Sequence, residues 1–245
     1  MKKRSSEDLT YGIRSVIEAI KEGKTINKIL LQKGLTGDLI KELLVLIHKE
    51  KIVVQKVPIQ KLNHMVKKNH QGVIAMVSPV AYHEIDWMVQ QIYEKGQDPF
   101  ILILDRVKDV RNFGAIARTA ECLGVHSIVI PNKDSALITN DAVKTSAGAL
   151  FKIPVCKVSS LNAAVDFLKG SGLKIFACTE KSDNPINKVN SIGPKALIMG
   201  SEEDGVDQKL LKMTDVNFKI SMVGSIASLN VSVACGIAIY KLMSK

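Results

Sequence analysis

Between residues 98 and 245, short apolar runs alternate with helical patterns, and this alternation constrains the fold more than any other feature. Runs such as FILIL at 100–104 and ALIM at 196–199 leave no face for water. A strand built from them is covered on both sides, as in parallel sheets. Strands are expected at Phe100–Asp105, Ser127–Pro131, Phe151–Val158, Lys174–Thr179, Ala196–Gly200 and Asn217–Ser221. Helices are expected between them at Phe113–Leu123, Leu161–Lys169, Gln208–Met213 and Ser228–Met243. That order gives an α/β domain, a parallel sheet with helices on both faces.

The first 77 residues alternate on a smaller scale. Helices are expected at Tyr11–Glu22, Asp38–Lys49 and Gln60–Lys67, and strands at Lys28–Gln32, Ile52–Val57 and Gly72–Val77. This is a small α/β sandwich. The stretch 78–97 begins and ends near prolines and reads as a linker containing a helix. The predicted organisation is therefore 1–77, a linker at 78–97, and 98–245.

Charge follows the same division. Residues 1–77 hold 15 Lys/Arg against 7 Asp/Glu, whereas 98–245 hold 18 against 14. The chain's net charge of +10 favours an acidic partner, nucleic acid before membrane. An aromatic content of 4% leaves few stacking platforms and favours folded RNA over single strands.

The cysteines at 122, 156, 178 and 235 form no Cys-x-x-Cys pair and sit among apolar neighbours, which indicates a reducing, cytoplasmic setting. The basic start MKKR has no apolar run behind it, unlike a signal peptide. Residues 220–240 lack charge, but Ser221, Ser228, Asn230 and Ser232 would each need a partner in hydrocarbon. A buried strand–loop–helix is the expectation there, with no membrane span. The five histidines show no metal-ligand spacing, so no metal is expected.

Three clusters lie at strand ends, where ligands of such sheets bind. The first is NFGAIAR, Asn112 to Arg118, with Asn112 placed as a helix N-cap and Arg118 pointing off the buried stripe. The second is GSEEDGV, Gly200 to Val206, a glycine-bounded turn. The third is ISMVGSIASLNVSVA from Ile220, in which Ser228 is expected to cap a helix with Asn230 in its first turn. Each alone also suits an ordinary capped helix or turn. The glycine fingerprint of dinucleotide sites and the Walker A sequence are missing, which weighs against a nicotinamide oxidoreductase.

Together the three resemble the signature motifs of the SpoU (TrmH) class of SPOUT RNA ribose methyltransferases. YGIRSVIEAI and HQGVIAMV in the first part resemble that family's L30e-like substrate-binding domain. The layout is similar to that of bacterial 23S rRNA guanosine 2′-O-methyltransferases. The resemblance implies a SPOUT sheet with a deep C-terminal trefoil knot, S-adenosyl-L-methionine as cofactor, and a homodimer with active sites near the subunit interface. By motif matching it implies cofactor contacts from Thr179, Gly200, Ile220, Met222 and Leu229. It also implies catalytic or substrate-positioning roles for Asn112, Arg118, Ser228 and Asn230, with Glu202 as the motif acid.

A guanidinium is a permanent charge and a poor proton acceptor. Arg118 is therefore expected to clamp a phosphate and stabilise the reacting oxygen. Lys67 and Lys68 are expected to contact RNA phosphates. The implied substrate is a guanosine of 23S rRNA or of a ribosome assembly intermediate. A tRNA, another rRNA nucleotide, or a non-catalytic assembly role stands as an alternative.

Overall fold

A computed structural model describes residues 9–226 and 228–243. The chain divides into two compact units, Met1–Ala81 with Leu137–Asn140, and Tyr82–Ala136 with Asp141–Lys245.

In the first unit, β1 (Leu9–Tyr11), β2 (Ile26–Gln32), β3 (Val54–Val57) and β4 (Val73–Val77) form a sheet ordered β1-β4-β2-β3. Strand β4 runs antiparallel to β1 and β2, and β3 is parallel to β2. Helices α1 (Ile13–Lys21) and α2 (Asp38–Lys49) cover one face through Val16, Ile17, Ile40 and Leu43. Helix α3 (Ile59–Met65) covers the other through Leu62. The alternation of β2 side chains explains this, since Ile29 and Leu31 point one way and Leu30 the other.

The second unit is built on seven strands. They are β5 (Tyr82–His83), β6 (Phe100–Leu104), β7 (Ser127–Pro131), β8 (Val155–Val158), β9 (Lys174–Cys178), β10 (Lys195–Met199) and β11 (Val216–Phe218). Their order is β11-β9-β10-β6-β7-β8-β5, and every pairing is parallel. Helices α4 (Ile85–Glu94), α7 (Leu161–Gly170) and α8 (Gln208–Met213) supply Val89, Val165 and Leu210 to a core that includes Ile101, Ile103 and Ile198. Helices α5 (Val110–Cys122) and α9 (Val231–Met243) pack on each other, and α9 packs on β10. The short α6 (Asn140–Thr145) lies so close to α5 that a Cβ on Gly114 would come within 2.7 Å of Thr145 Cβ.

Several local expectations change. The segment 78–97 is not a free linker, because β5 pairs with β8 and Met88, Val89 and Ile92 of α4 are buried in the second unit. The strand expected over 151–158 begins only at Val155. Residues Ala149–Phe151 form a 3₁₀ turn, and Pro154 has no N–H to give a ladder. Strands β1 and β5 and helix α6 carry too few residues for their periodicity to register. Cys156 and Cys235 are buried free thiols, but Cys122 is exposed, since it lies on the outer side of the last turn of α5.

Candidate active site

The carboxyl ends of β6, β10 and β11 carry the three motif loops, and β9, which pairs with β10 and β11, brings Thr179 beside them, so the parallel sheet delivers them to one rim. Helix α5 begins just after β6. Its N-cap is Asp109, whose carboxylate accepts from the backbone N–H of Arg111 at 2.8 Å and of Asn112 at 2.9 Å. Asn112 therefore sits inside the first turn and is not the N-cap expected, because Asp109, three residues before it, satisfies the orphan donors. That leaves the Asn112 carboxamide free to reach across the rim.

It donates from Nδ2 to Glu202 Oε1 at 2.5 Å. Asn230 Nδ2 donates to the same Glu202 oxygen at 3.2 Å and to Asn112 Oδ1 at 3.1 Å. A carboxylate only accepts, so both amides must turn their NH₂ groups toward Glu202. Asn230 Oδ1 in turn accepts from Ser232 N at 2.9 Å and from Ser232 Oγ. Asn230, rather than Ser228, thus caps α9, and the helix starts at Val231. Three residues separated by up to 118 positions meet in one network.

Beside it lies a cavity of about 240 Å³. Thr179, Gly200, Ile220, Met222 and Leu229 all line it, as do Ser228 and Glu202. Thr179 follows β9 and is buried, while Ser228 is exposed on the wall. Gly200 follows β10 directly, and a Cβ there would run into the backbone of Gly205 and Val206. Only glycine lets the loop fold back so closely. Cys178 also lines the cavity, and burial pushes its thiol up to about 12, with Glu180 adding to the effect, so it stays protonated.

Arg118 lies apart from this network. It is exposed on α5 and makes no hydrogen bond or ion pair among the described residues. Six positions from Asn112 carry it about 240° around the helix and about 9 Å along it. Lys67 and Lys68 are exposed on the first unit. His70 is buried there, accepting at Nδ1 from Gly72 N and hydrogen bonding Asn63 through Nε2, which is a structural role.

Sequence reasoning passed over Arg106 and Glu180. Arg106 lines a second cavity of about 210 Å³ that shares Glu202 with the first, and Glu180 lines the first. An Asp-Arg pair directly after β6, at the rim where ligands bind, was the available signal for Arg106.

Comparison with known proteins agrees with this architecture. Residues 99–240 match the SpoU rRNA Methylase family, and residues 9–83 match RNA 2′-O ribose methyltransferase substrate binding. A Bacillus subtilis protein bearing a TrmH family tRNA/rRNA methyltransferase name is 33% identical over 238 residues, covering 97% of this chain and 96% of that protein. A Staphylococcus aureus protein of the same description is 36% identical over 239 residues, covering 98% and 96%. Among solved structures, the SpoU methyltransferase AviRb from Streptomyces viridochromogenes superposes with a TM-score of 0.60 at 22% identity, covering 96% of this chain and 88% of that one. An AdoMet-bound rRNA methyltransferase from Sinorhizobium meliloti shares the fold with a TM-score of 0.60 at 21% identity, covering 96% and 85%. Matched across both units by family and nearly end to end by these relatives, the chain belongs to the SpoU (TrmH) family of S-adenosylmethionine-dependent RNA methyltransferases.

Proposed function

We propose that this enzyme methylates the 2′-hydroxyl of a ribose in RNA, with a guanosine of 23S rRNA or of a ribosome assembly intermediate as substrate, acting as a cytoplasmic homodimer. The carrying observation is the Asn112–Glu202–Asn230 network beside the cavity lined by Thr179, Gly200, Ile220, Met222 and Leu229. The C-terminal trefoil knot implied by the motifs belongs to the same reading.

The cavity suits the cofactor. Among the described residues its lining carries the carboxylates of Glu180, Glu202 and Glu203 and no lysine, arginine or histidine. In a chain of net charge +10, such a pocket favours a ligand with a sulfonium and an ammonium. Gly200 and Gly205 bring main-chain groups to its wall, where an adenine edge can be bound without side chains intervening.

The cofactor supplies an already activated methyl group, so the protein's task is alignment and charge. Asn112 and Asn230, locked by Glu202, present fixed amide dipoles at the rim. Ser228 on the cavity wall orients the ribose. Arg118 clamps the adjoining phosphate and stabilises negative charge as the 2′-oxygen gives up its proton to solvent water and bonds to the methyl carbon. The new carbon–oxygen bond replaces the carbon–sulfur bond, leaving a neutral thioether. In the first unit, exposed Lys67 and Lys68 neutralise phosphates without reading sequence.

Ribose-methylation mapping of rRNA and tRNA from cells with and without the gene tests this reading. Loss of one 2′-O-methylguanosine in 23S rRNA is expected. Loss confined to tRNA moves the substrate, and an unchanged map of both RNAs overturns the reading. Calorimetry should show binding of S-adenosylmethionine and none of NADH.

A further inference from the structure

Arg106 stands outside all three motif clusters, yet it is the most heavily engaged arginine at the rim. Its backbone has φ +58°, a left-handed conformation that is unfavourable for a long side chain. Such a conformation persists only where the surroundings over-determine it. Here they do. Nε and Nη2 donate to the two carboxylate oxygens of Asp105 at 3.0 and 3.1 Å, Nη1 to Asp204 Oδ2 at 3.2 Å, and Nη2 to the Gly205 carbonyl at 3.1 Å.

Asp105 is 3% exposed and also accepts from Asp207 N at 2.8 Å. Its own N–H is bound to Met199 O at 2.8 Å, the last residue of β10. One guanidinium and one buried carboxylate therefore hold the downstream side of the 201–205 loop to the end of β6. The loop also closes on itself, with Ser201 and Gly205 exchanging backbone hydrogen bonds at 3.2 and 3.1 Å. Glu202 lies within this closed loop, between the two cavities, and accepts from both Asn112 and Asn230.

We propose that Arg106 is a positioning residue for methyl transfer. It clasps the 201–205 loop to β6 and thereby holds Glu202, and through it the Asn112 and Asn230 amides, in the productive arrangement. The planar fork is essential to this, because three separate acceptors are engaged in fixed directions. This rests on the reading of Asn112, Glu202 and Asn230 as the reacting centre.

The test measures the single-turnover methyl-transfer rate at saturating cofactor and RNA, alongside thermal melting and amide exchange at Ser201 and Gly205. Arg106→Lys keeps the charge and loses the fork. It should lower the rate by about 10-fold or more, the loss expected when a reacting centre is held slightly out of place. S-adenosylmethionine affinity, read by calorimetry, should fall by less than about 3-fold, and exchange at Ser201 and Gly205 should quicken. Arg106→Gly suits the left-handed backbone, and millimolar guanidinium should restore part of its rate. Because that change strands the Asp105 carboxylate, Asp105→Asn/Arg106→Gly serves if the single variant does not fold. A lower melting temperature with an unchanged rate per folded molecule overturns the proposal, as does an unchanged rate in Arg106→Lys. Glu202→Ala, which removes the oxygen that accepts from both amides, separates the two levels: if it keeps the full rate, the reading of the reacting centre fails whatever Arg106 does.

Discussion

At the residue scale, two positions separate binding from chemistry. Gly200 has no room for a side chain, because a Cβ there meets the Gly205 and Val206 backbone. Gly200→Ala should push the loop off the end of β10 and abolish measurable cofactor binding by calorimetry. Because the strain is local to the rim, the cooperative thermal transition should survive. Retained affinity would dissociate the cavity from the cofactor. Arg118 is the converse case. It is exposed and packs against nothing in its own core, so Arg118→Ala should fold normally and bind cofactor normally. Its methyl-transfer rate should fall by at least ~100-fold, as on losing a charge-stabilising donor. Arg118→Lys should stay poor at every pH if the planar fork grips a phosphate. A rate that recovers as pH rises toward the lysine range would make residue 118 a base instead.

At the scale of elements, β6 carries a pH-sensitive tether. His126, just before β7, accepts at Nδ1 from the N–H of Phe100 at 3.0 Å. Burial, with a contribution from Lys95, lowers its pKa from 6.5. The unfolded chain therefore takes up the proton first as pH falls through about 6.5. Stability should drop over that window and level off below the folded-state pKa, where both states are protonated. His126→Asn keeps an acceptor in place and removes the titration. Its denaturant midpoint should change less between pH 7 and pH 5 than that of the wild type, and equal slopes would exclude His126 as the source. The same strands show what the sequence could disclose. FILIL and ALIM announced buried parallel strands because burial on both faces leaves a continuous apolar run. The motif loops were placed correctly at strand ends by the same logic. Helix starts were less legible. Asp109 and Asn112 are both good capping residues three positions apart, and only the hydrogen bonds to Arg111 and Asn112 decide between them. The network joining Asn112 to Asn230 spans 118 positions and depends on how far the 201–205 loop folds back, which no local pattern encodes. The Asp-Arg pair after β6 marks the place of Arg106 but not its role, which rests on a backbone angle and on partners nearly a hundred residues away.

At the scale of the whole molecule, α9 carries apolar side chains on two opposite sides. Val231, Cys235, Ala238, Ile239 and Leu242 are buried in its own unit. On the opposite side Val233, Ile237, Tyr240 and Met243 are 40 to 67% exposed. Their spacing of four, three and three places them along one stripe. An exposed stripe of this kind would be covered if a second copy of the chain presented its matching stripe through a twofold axis. Helix α5 packs on α9, and a Cβ on Gly236 would meet Thr119, the neighbour of Arg118, at 3.4 Å. Pairing through α9 would therefore bring Arg118 close to the second subunit. Since Arg118 is turned away from the Asn112–Glu202–Asn230 network of its own chain, the active site is expected to be composite, with Arg118 supplied by the other subunit. Sedimentation should show a dimer at micromolar concentration, and Ile237→Glu should shift it to monomer and abolish transfer. Complementation then tests the composite site directly. Arg118→Ala and Asn230→Ala homodimers should each be inactive. Mixed dimers of the two would hold one site with both lesions and one with neither. After dissociation and random reassembly, about a quarter of wild-type activity should return, because half the dimers are mixed and each has one intact site. Activity that stays at the level of the separate variants would place Arg118 and Asn230 in the same site of one chain.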